Sequence, residues 1–253
     1  MAKDFTLVKY KEFLQAGIEA GYRLTSFQDY LKDNSGKVMI LRHDVDRKPI
    51  NSLRTAELQY SLGVKGTYYF RATKESFNVE IIKQIRDLGH EIGYHYEDLA
   101  IHKGDSKKAI VHFIKWLDKL KEIYPVKTIC MHGSPLSKWD NRELWKSYDY
   151  KDYGIIAEPY FDLNFDQVFY ITDTGRRWDG DKVSVRDKVN STFDLSFHST
   201  NDIINAFQKK QLPNHIMQNI HPQRWTDTNG QWIKEMMLQK LKNGIKKSVF
   251  VKK

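Results

Sequence analysis

The chain has 253 residues, of which 40% are hydrophobic and 13% aromatic, so it can bury a sizeable core and is not intrinsically disordered. Its single cysteine, Cys130, excludes an intramolecular disulfide and a cysteine-based zinc cluster. Lysine and arginine exceed aspartate and glutamate by nine. Either solvated surface lysines or attraction to an anionic substrate explains this excess. No recognisable nucleic-acid-binding module is present, so we expect no nucleic-acid partner.

The beginning of the chain lacks the continuous apolar segment of a signal peptide. No stretch approaches the length of a membrane span. We therefore expect a cytoplasmic protein without a membrane span. Neither repeats nor low-complexity linkers occur, which predicts a single domain over residues 1–253.

Strand and helix signals alternate along the chain, which predicts an α/β fold with a parallel sheet, most simply a barrel of seven strands. Short apolar runs predict the strands, and apolar residues at helical spacing predict the helices. The predicted strands are residues 38–41, 66–70, 90–96, 128–132, 155–157, 168–171 and 215–220. The predicted helices are residues 9–20, 50–62, 79–88, 107–123 and 232–241.

Two carboxylates follow the first predicted strand. Asp44 and Asp46 are two residues apart, so on an extended segment their side chains face the same cavity. An aspartate after a strand often caps the next helix, but capping needs only one acid. A metal ligand together with a general base explains the pair better.

Histidines end three further predicted strands: His95, His132 and His221. In an α/β barrel the active site lies at these carboxyl ends. Imidazoles and carboxylates gathered there can hold a divalent metal and transfer protons. We expect Gly93 to leave room for a metal or ligand. The ordinary pKa of His221 suits a general acid that protonates a leaving amine.

The segment that follows the sixth predicted strand has the composition of a substrate-binding loop. Arg176 and Arg177 can grip an anion, Trp178 can stack on a sugar, and Asp173 begins the segment. An exposed loop whose tryptophan packs into the barrel wall is the alternative interpretation.

Together these segments resemble the polysaccharide deacetylases with the NodB homology domain, also called carbohydrate esterase family four. Residues 89–95 read Gly-His-Glu-Ile-Gly-Tyr-His and match the second motif of that family at every fixed position. The sequence Asp-Val-Asp at 44–46 is similar to its first motif, and Asn-Ile-His at 219–221 to its late histidine motif. The resemblance covers residues 38–225 and implies a distorted (β/α)7-type barrel.

The resemblance also implies a role for each acid and base. Asp44 corresponds to the catalytic base, Asp46 to a metal ligand and His221 to the catalytic acid. His95 corresponds to a metal ligand, and Asp173 with Trp178 faintly resembles a later motif of the family.

The chain departs from the family pattern at one metal ligand. A second metal histidine normally follows the first by four residues, but that position is Leu99 here. His132, at the end of the neighbouring strand, is the favoured substitute, and Glu97 or His102 are alternatives. Loss of the metal is a further alternative. Zinc suits an aspartate and two histidines best, although other divalent ions remain open.

The expected function is therefore metal-dependent hydrolysis of the acetamide C–N bond of an N-acetylated sugar or glycan, in surface polysaccharide metabolism. The substrate is expected to be a carbohydrate that is anionic or linked to a nucleotide or lipid. One alternative is a metal-free C–N hydrolase of the same superfamily that acts on a cyclic imide or ureide. Another is a catalytically inactive carbohydrate-binding protein.

Overall fold

A computed structural model of the protein describes residues 3–179, 186 and 189–250, with the side chains of residues 245–250 excepted. Its centre is a curled, parallel, seven-stranded sheet in the order β5-β4-β3-β2-β7-β6, in which β1 pairs with the first half of β2. The strands are β1 (Arg23–Thr25), β2 (Val38–Val45), β3 (Thr67–Phe70), β4 (Glu91–Tyr96), β5 (Ile129–Met131), β6 (Phe169–Thr172) and β7 (His215–Ile220).

Nine α-helices lie among the described residues, and several of them connect consecutive parallel strands. They are α1 (Leu7–Glu19), α2 (Phe27–Lys32), α3 (Pro49–Ser61), α4 (Val79–Asp87), α5 (Asp98–Ile101), α6 (Ser106–Lys121), α7 (Pro159–Asp162), α8 (Thr200–Gln208) and α9 (Asn229–Phe250). Within the described part of the chain, no helix is both long enough and apolar enough to cross a membrane.

This architecture confirms the predicted α/β class and the distorted barrel. Six of the seven predicted strands are present. The fifth prediction, at residues 155–157, is wrong as a strand, because only Ala157 forms a bridge, to Thr128. Pro159 begins α7 two residues later, and Glu158 caps it, so the extended segment stops early. Among the described residues no hydrogen bond joins this segment to β6, and the barrel is open there.

Strand β2 is the central element of the site. All eight of its residues are buried, as expected for a parallel strand covered on both faces. The strand continues four residues beyond the predicted end, because residues 42–45 pair with β3 while residues 38–43 pair with β7. Arg42 and Asp44 consequently share one face, which lines the central cavity. His43 lies on the other face and stacks on Tyr68.

Gly93 does not have the role that the sequence suggested. A Cβ atom there would lie 2.4 Å from the Tyr69 ring on the neighbouring strand and 2.8 Å from the backbone oxygen of Thr128. The glycine therefore makes room for Tyr69 and not for a metal or ligand, because these two neighbours already occupy the space beside its Cα.

Candidate metal and catalytic site

The carboxyl ends of β2, β4, β5 and β7 surround a cavity of about 610 Å³. The structure brings together in its wall the five side chains for which the sequence suggested chemistry. They are Asp44, Asp46, His95, His132 and His221.

The Asp46 carboxylate is the point on which the three imidazoles converge. Its Oδ1 lies 3.5 Å from Nε2 of His132 and 3.8 Å from Nε2 of His95. Its Oδ2 lies 3.9 Å from Nε2 of His221 and accepts a hydrogen bond of 3.2 Å from Gln223. Burial opposes ionisation, but the three histidines outweigh it and hold the pKa of Asp46 well below its usual range. Oδ1 is buried and has no hydrogen-bond partner.

Hydrogen bonds fix which nitrogen of two of these rings is free to bind a cation. Nδ1 of His95 lies 2.9 Å from the backbone oxygen of Cys130, and Nδ1 of His132 lies 2.8 Å from Oε2 of Glu97. Both oxygens can only accept, so each Nδ1 carries the proton and each Nε2 keeps its lone pair when the ring is neutral. Burial lowers the pKa of His95 to about 4, which keeps that ring neutral.

Glu97 is the partner of His132 and is itself held by Arg71. The Arg71 guanidinium donates to both carboxylate oxygens, each at 2.8 Å. Burial raises the pKa of Glu97, but the hydrogen bond from His132 and the charges of His132 and Arg71 bring it down to about 2. Both oxygens are therefore engaged, so Glu97 supports a ligand rather than replacing one. His102, the other alternative, packs against His112 and does not line the cavity.

Asp44 forms a buried ion pair with Arg42. Nε and Nη2 of Arg42 donate to its two oxygens at 2.9 and 2.7 Å, and Nδ2 of Asn219 donates at 2.9 Å. Burial opposes ionisation of the carboxyl, but the Arg42 charge outweighs it and holds the pKa of Asp44 below its usual range. Asp44 is therefore ionised at neutral pH and lies 3.7 Å from Nε2 of His95.

The imidazole of His221 is hydrogen-bonded to the carboxylate of Asp173. Nδ1 of His221 donates to Oδ1 of Asp173 at 2.7 Å. The Asp173 carboxylate is buried and also accepts from the His221 amide, Trp225 and Arg224. Burial and Arg224 lower the pKa of His221, but Asp173 outweighs them and raises it. The proton on His221 is therefore retained more readily than on a free imidazole.

The structure does not place Asp173 as a substrate-binding residue: its carboxylate is buried, accepts hydrogen bonds from His221 and does not line the cavity. Sequence reasoning missed this role and that of Arg42. A signal for each existed: Asp173 ends the strand next to the one that precedes His221, and Arg42 is two residues from Asp44 on a strand.

The predicted substrate loop also requires correction, since none of Arg176, Arg177 and Trp178 lines the cavity. Trp178 is only 5% exposed and packs against aromatic rings of the core, as in the alternative interpretation. The Arg176 guanidinium lies over the Trp232 ring, and Arg177 pairs with Asp179. All three side chains are therefore engaged in contacts outside the cavity.

Two sets of residues near the cavity are candidates for a divalent metal. The potential ligand atoms of Asp44, His95 and Cys130 all lie within 4.8 Å of one another. However, Arg42 already holds both oxygens of Asp44.

The second set is Asp46, His95 and His132, which the sequence predicted. Its carboxylate has a buried oxygen without a hydrogen bond, and two imidazole nitrogens with lone pairs face that oxygen. An aspartate and two histidines are ligands that zinc accepts, and the hydrogen bonds behind both rings are typical of metal-binding histidines. The donor chemistry of this set therefore fits a divalent metal better, although among the described residues only the first set has all its potential ligand atoms within 4.8 Å of one another.

No family model matches the chain, and no curated protein sequence matches it. Among solved structures, a Streptococcus mutans CE4 esterase is 14% identical, with 89% of each chain covered and a TM-score of 0.47. BA3943, a CE4 family pseudoenzyme from Bacillus anthracis, is 15% identical over 83% of this chain, with a TM-score of 0.44. The Streptococcus pyogenes deacetylase PplD is 16% identical over 51% of this chain, with a TM-score of 0.38.

The matched regions span less than two thirds of the last two chains, 62% of BA3943 and 64% of PplD. The first two of these structures carry the CE4 name of the family that the sequence motifs resemble. Because each TM-score is below 0.5, the chemistry of this chain has to be inferred from its motifs and its site.

Proposed function

We propose that this protein is a metal-dependent deacetylase that hydrolyses the acetamide of an N-acetylated sugar or glycan. The observation that carries the proposal is the Asp46 carboxylate, whose unpartnered Oδ1 faces two imidazole nitrogens. An ionised Asp44 and His221, whose Nδ1 donates to the buried Asp173, line the same cavity. Hydrolysis of an unreactive amide needs carbonyl activation, a base for water and an acid for the leaving amine.

Asp46, His95 and His132 would hold the metal, and zinc suits this set. Lewis-acid activation of the acetyl carbonyl and of water is the chemistry that such an ion supplies when bound. Glu97 keeps the proton of His132 on Nδ1, and the Cys130 carbonyl does the same for His95.

Asp44 would accept the proton of the attacking water. Arg42 and Asn219 keep the carboxylate ionised and fixed in orientation, so no proton has to be lost before the reaction. The same contacts reduce its basicity, because the pKa is held below its usual range. A base of this kind is effective only if the water is itself made more acidic, which agrees with a metal requirement.

His221 would donate its proton to the departing amine. Asp173 fixes the ring through Nδ1, which leaves Nε2 on the cavity side, 3.9 Å from Asp46. The negative charge of Asp173 favours the protonated ring. Acid catalysis at this point prevents expulsion of an unprotonated amine, which is a poor leaving group.

For the substrate we propose an acetamido sugar that is anionic, as in a nucleotide-linked or lipid-linked sugar of surface polysaccharide metabolism. Support comes from the cationic side chains in the cavity wall, among them Arg47, Arg186 and Lys242. We assign to these side chains the anion-binding role that the sequence suggested for Arg176 and Arg177.

A second candidate function is a carbohydrate-binding protein without hydrolytic activity. It is favoured by the Asp44 carboxylate, both of whose oxygens accept hydrogen bonds from Arg42 or Asn219. The metal-free hydrolase of a cyclic imide or ureide needs a base of ordinary strength and is less compatible with this ion pair.

The test is acetate release by the purified protein, assayed after chelation and again after addition of zinc or cobalt. N-acetylated nucleotide sugars, chitin oligomers and peptidoglycan serve as substrates. Metal-dependent release is expected, with loss of function in Asp46→Asn. Stoichiometric metal without acetate release from any substrate supports the binding protein. Activity that persists without metal on cyclic imides supports the metal-free hydrolase.

A further inference from the structure

A group of cations in and beside the cavity wall, contributed by the segment before α3 and by α9, carries more positive charge than its carboxylate can neutralise. Arg47 and Lys242 line the cavity, and Lys48 lies beside it, next to Glu235. Arg47 and Lys48 both lie next to Glu235, at 2.6 Å and 3.6 Å. Glu235 is 1% exposed, and its Oε2 has no hydrogen-bond partner. Lys242, on α9, lines the same cavity. We call Arg47, Lys48 and Lys242 the basic wall.

Three other arginines near the catalytic residues contribute little net charge, because each has its own carboxylate; a fourth, Arg186, donates to backbone oxygens on the β5 side of the cavity. Arg42 is paired with Asp44, and Arg71 with Glu97. Arg224 is paired with Asp173.

The basic wall differs in its balance of charge. Its three cations are accompanied by one carboxylate, Glu235, which leaves a formal surplus of two positive charges. Within the described part of the chain, no carboxylate lies within ion-pair distance of Lys242. A surplus of this size beside a cavity attracts anions.

The basic wall and the candidate catalytic residues belong to one cavity. Arg47, Lys242 and Asp46 all line it. Burial and the charge of Arg47 lower the pKa of Lys242, while Glu235 and Asp46 act in the opposite direction. The Lys242 ammonium group therefore interacts electrostatically with Arg47 and Glu235 as well as with the Asp46 carboxylate.

We propose that the basic wall is a phosphate subsite that binds the phosphoryl group of an amino-sugar substrate or product. Two surplus charges match a phosphate, which carries a charge near −2 at neutral pH, better than a single carboxylate. An arginine provides a planar fork, and lysines provide mobile point charges, for its oxygens. The amino-sugar part of this inference rests on the proposed function, whereas the phosphate part rests on the basic wall alone.

Binding measurements with deacetylated sugars test the phosphate subsite without any turnover. Glucosamine 1-phosphate and glucosamine are compared by isothermal titration calorimetry with the native protein. We expect tighter binding of the phosphorylated sugar, and a smaller difference when the salt concentration rises and screens the charges. Equal affinities for the two sugars would overturn the proposal.

Variants of the basic wall locate the subsite. Lys242→Gln should weaken binding of glucosamine 1-phosphate by about fivefold, since the side chain is partly solvated, and should leave glucosamine binding unchanged. Lys48→Asn combined with Lys242→Gln should weaken it by about tenfold or more. Lys240→Gln is the matched control: it removes the same charge from the same helix, is exposed and lies outside the cavity wall. Equal effects of Lys240→Gln and Lys242→Gln would overturn the assignment, because a general loss of charge would then explain both.

The inference and the proposed function fail in different ways. Phosphate-dependent binding without acetate release from any N-acetylated sugar keeps the subsite and rejects the deacetylase. Acetate release at equal kcat/KM from N-acetylglucosamine and its 1-phosphate, with no phosphate-dependent binding, rejects the subsite and keeps the deacetylase.

Discussion

Nδ1 of His132 lies 2.8 Å from Oε2 of Glu97, a residue contributed by the end of a neighbouring strand. This contact turns Nε2 of His132 towards Asp46. A histidine backed by a carboxylate is a common arrangement around protein-bound metals. It supports the proposal that His132 is the third metal ligand in a chain whose position 99 is a leucine.

Glu97→Gln tests this arrangement. We expect zinc affinity to fall by about 10- to 100-fold, because the ring loses its charged partner and its fixed tautomer. Competition with a chromophoric chelator measures the affinity, and circular dichroism checks the fold. Glu75→Gln removes an exposed carboxylate from the wall of the same cavity and serves as the control. Unchanged affinity in Glu97→Gln would remove His132 from the ligand set.

Asp44→Asn is expected to retain metal and to lose hydrolysis by about 10²- to 10⁴-fold or more, the usual contribution of a general base. Asp46→Asn is expected to lose the metal itself. Metal content by elemental analysis and acetate release separate the two effects. Loss of metal in Asp44→Asn, and also in Cys130→Ser, would show instead that Asp44, His95 and Cys130 are the ligands.

His221→Gln should reduce hydrolysis of an N-acetyl sugar far more than hydrolysis of an aryl acetate. The amine has to be protonated as it leaves, whereas a nitrophenolate leaves without a proton. Asp173→Asn should follow the same pattern with a smaller loss, since it only orients the ring. Rates on both substrates are compared for each variant. An equal loss on amide and ester would contradict the role of His221 as general acid.

His90 should make the protein less stable in acid. It is buried, and burial lowers its pKa to about 4 from an ordinary value of 6.5. The unfolded chain therefore takes up a proton first as the pH falls, so stability is full above pH 6.5 and is lost down to pH 4. The loss amounts to about 3 kcal/mol.

Urea unfolding between pH 4.5 and 7 measures this loss. In His90→Gln the dependence on pH should be shallower, although the buried His43 still contributes, since its pKa is lowered to about 3. His198→Gln changes an exposed histidine and should leave the dependence unchanged. An identical slope in His90→Gln and the wild-type protein would refute the assignment.

The residues of the candidate site could be predicted because of a simple geometric rule. Parallel strands place their carboxyl ends at one edge of the sheet, so Asp46, His95, His132 and His221 were expected to meet there. Their partners could not be predicted in the same way. The two-residue spacing places Arg42 and Asp44 on one face of β2, but their pairing, like that of Glu97 with His132, also depends on side-chain directions.

The failures have physical causes as well. Residues 155–157 have strand-forming composition, but Pro159 and the cap provided by Glu158 start a helix too soon for a strand to form. Trp178 follows a strand end, as a sugar-stacking residue would. However, its ring packs against Phe13 and Phe5 in the core, and its indole nitrogen donates a hydrogen bond to Thr200. A local helix start explains the first case, and tertiary packing explains the second.

The Arg42–Asp44 pair has a consequence for the order of folding and metal loading. Both charges come from β2, so the strand neutralises its own buried carboxylate while the sheet forms. Asp173 and Glu97 likewise have arginine partners in the chain. We therefore expect the protein to fold before it meets an ion, unlike small zinc domains that are unfolded without one. Under the proposed function, metal supply in a cell would then control activity without changing how much folded protein is present.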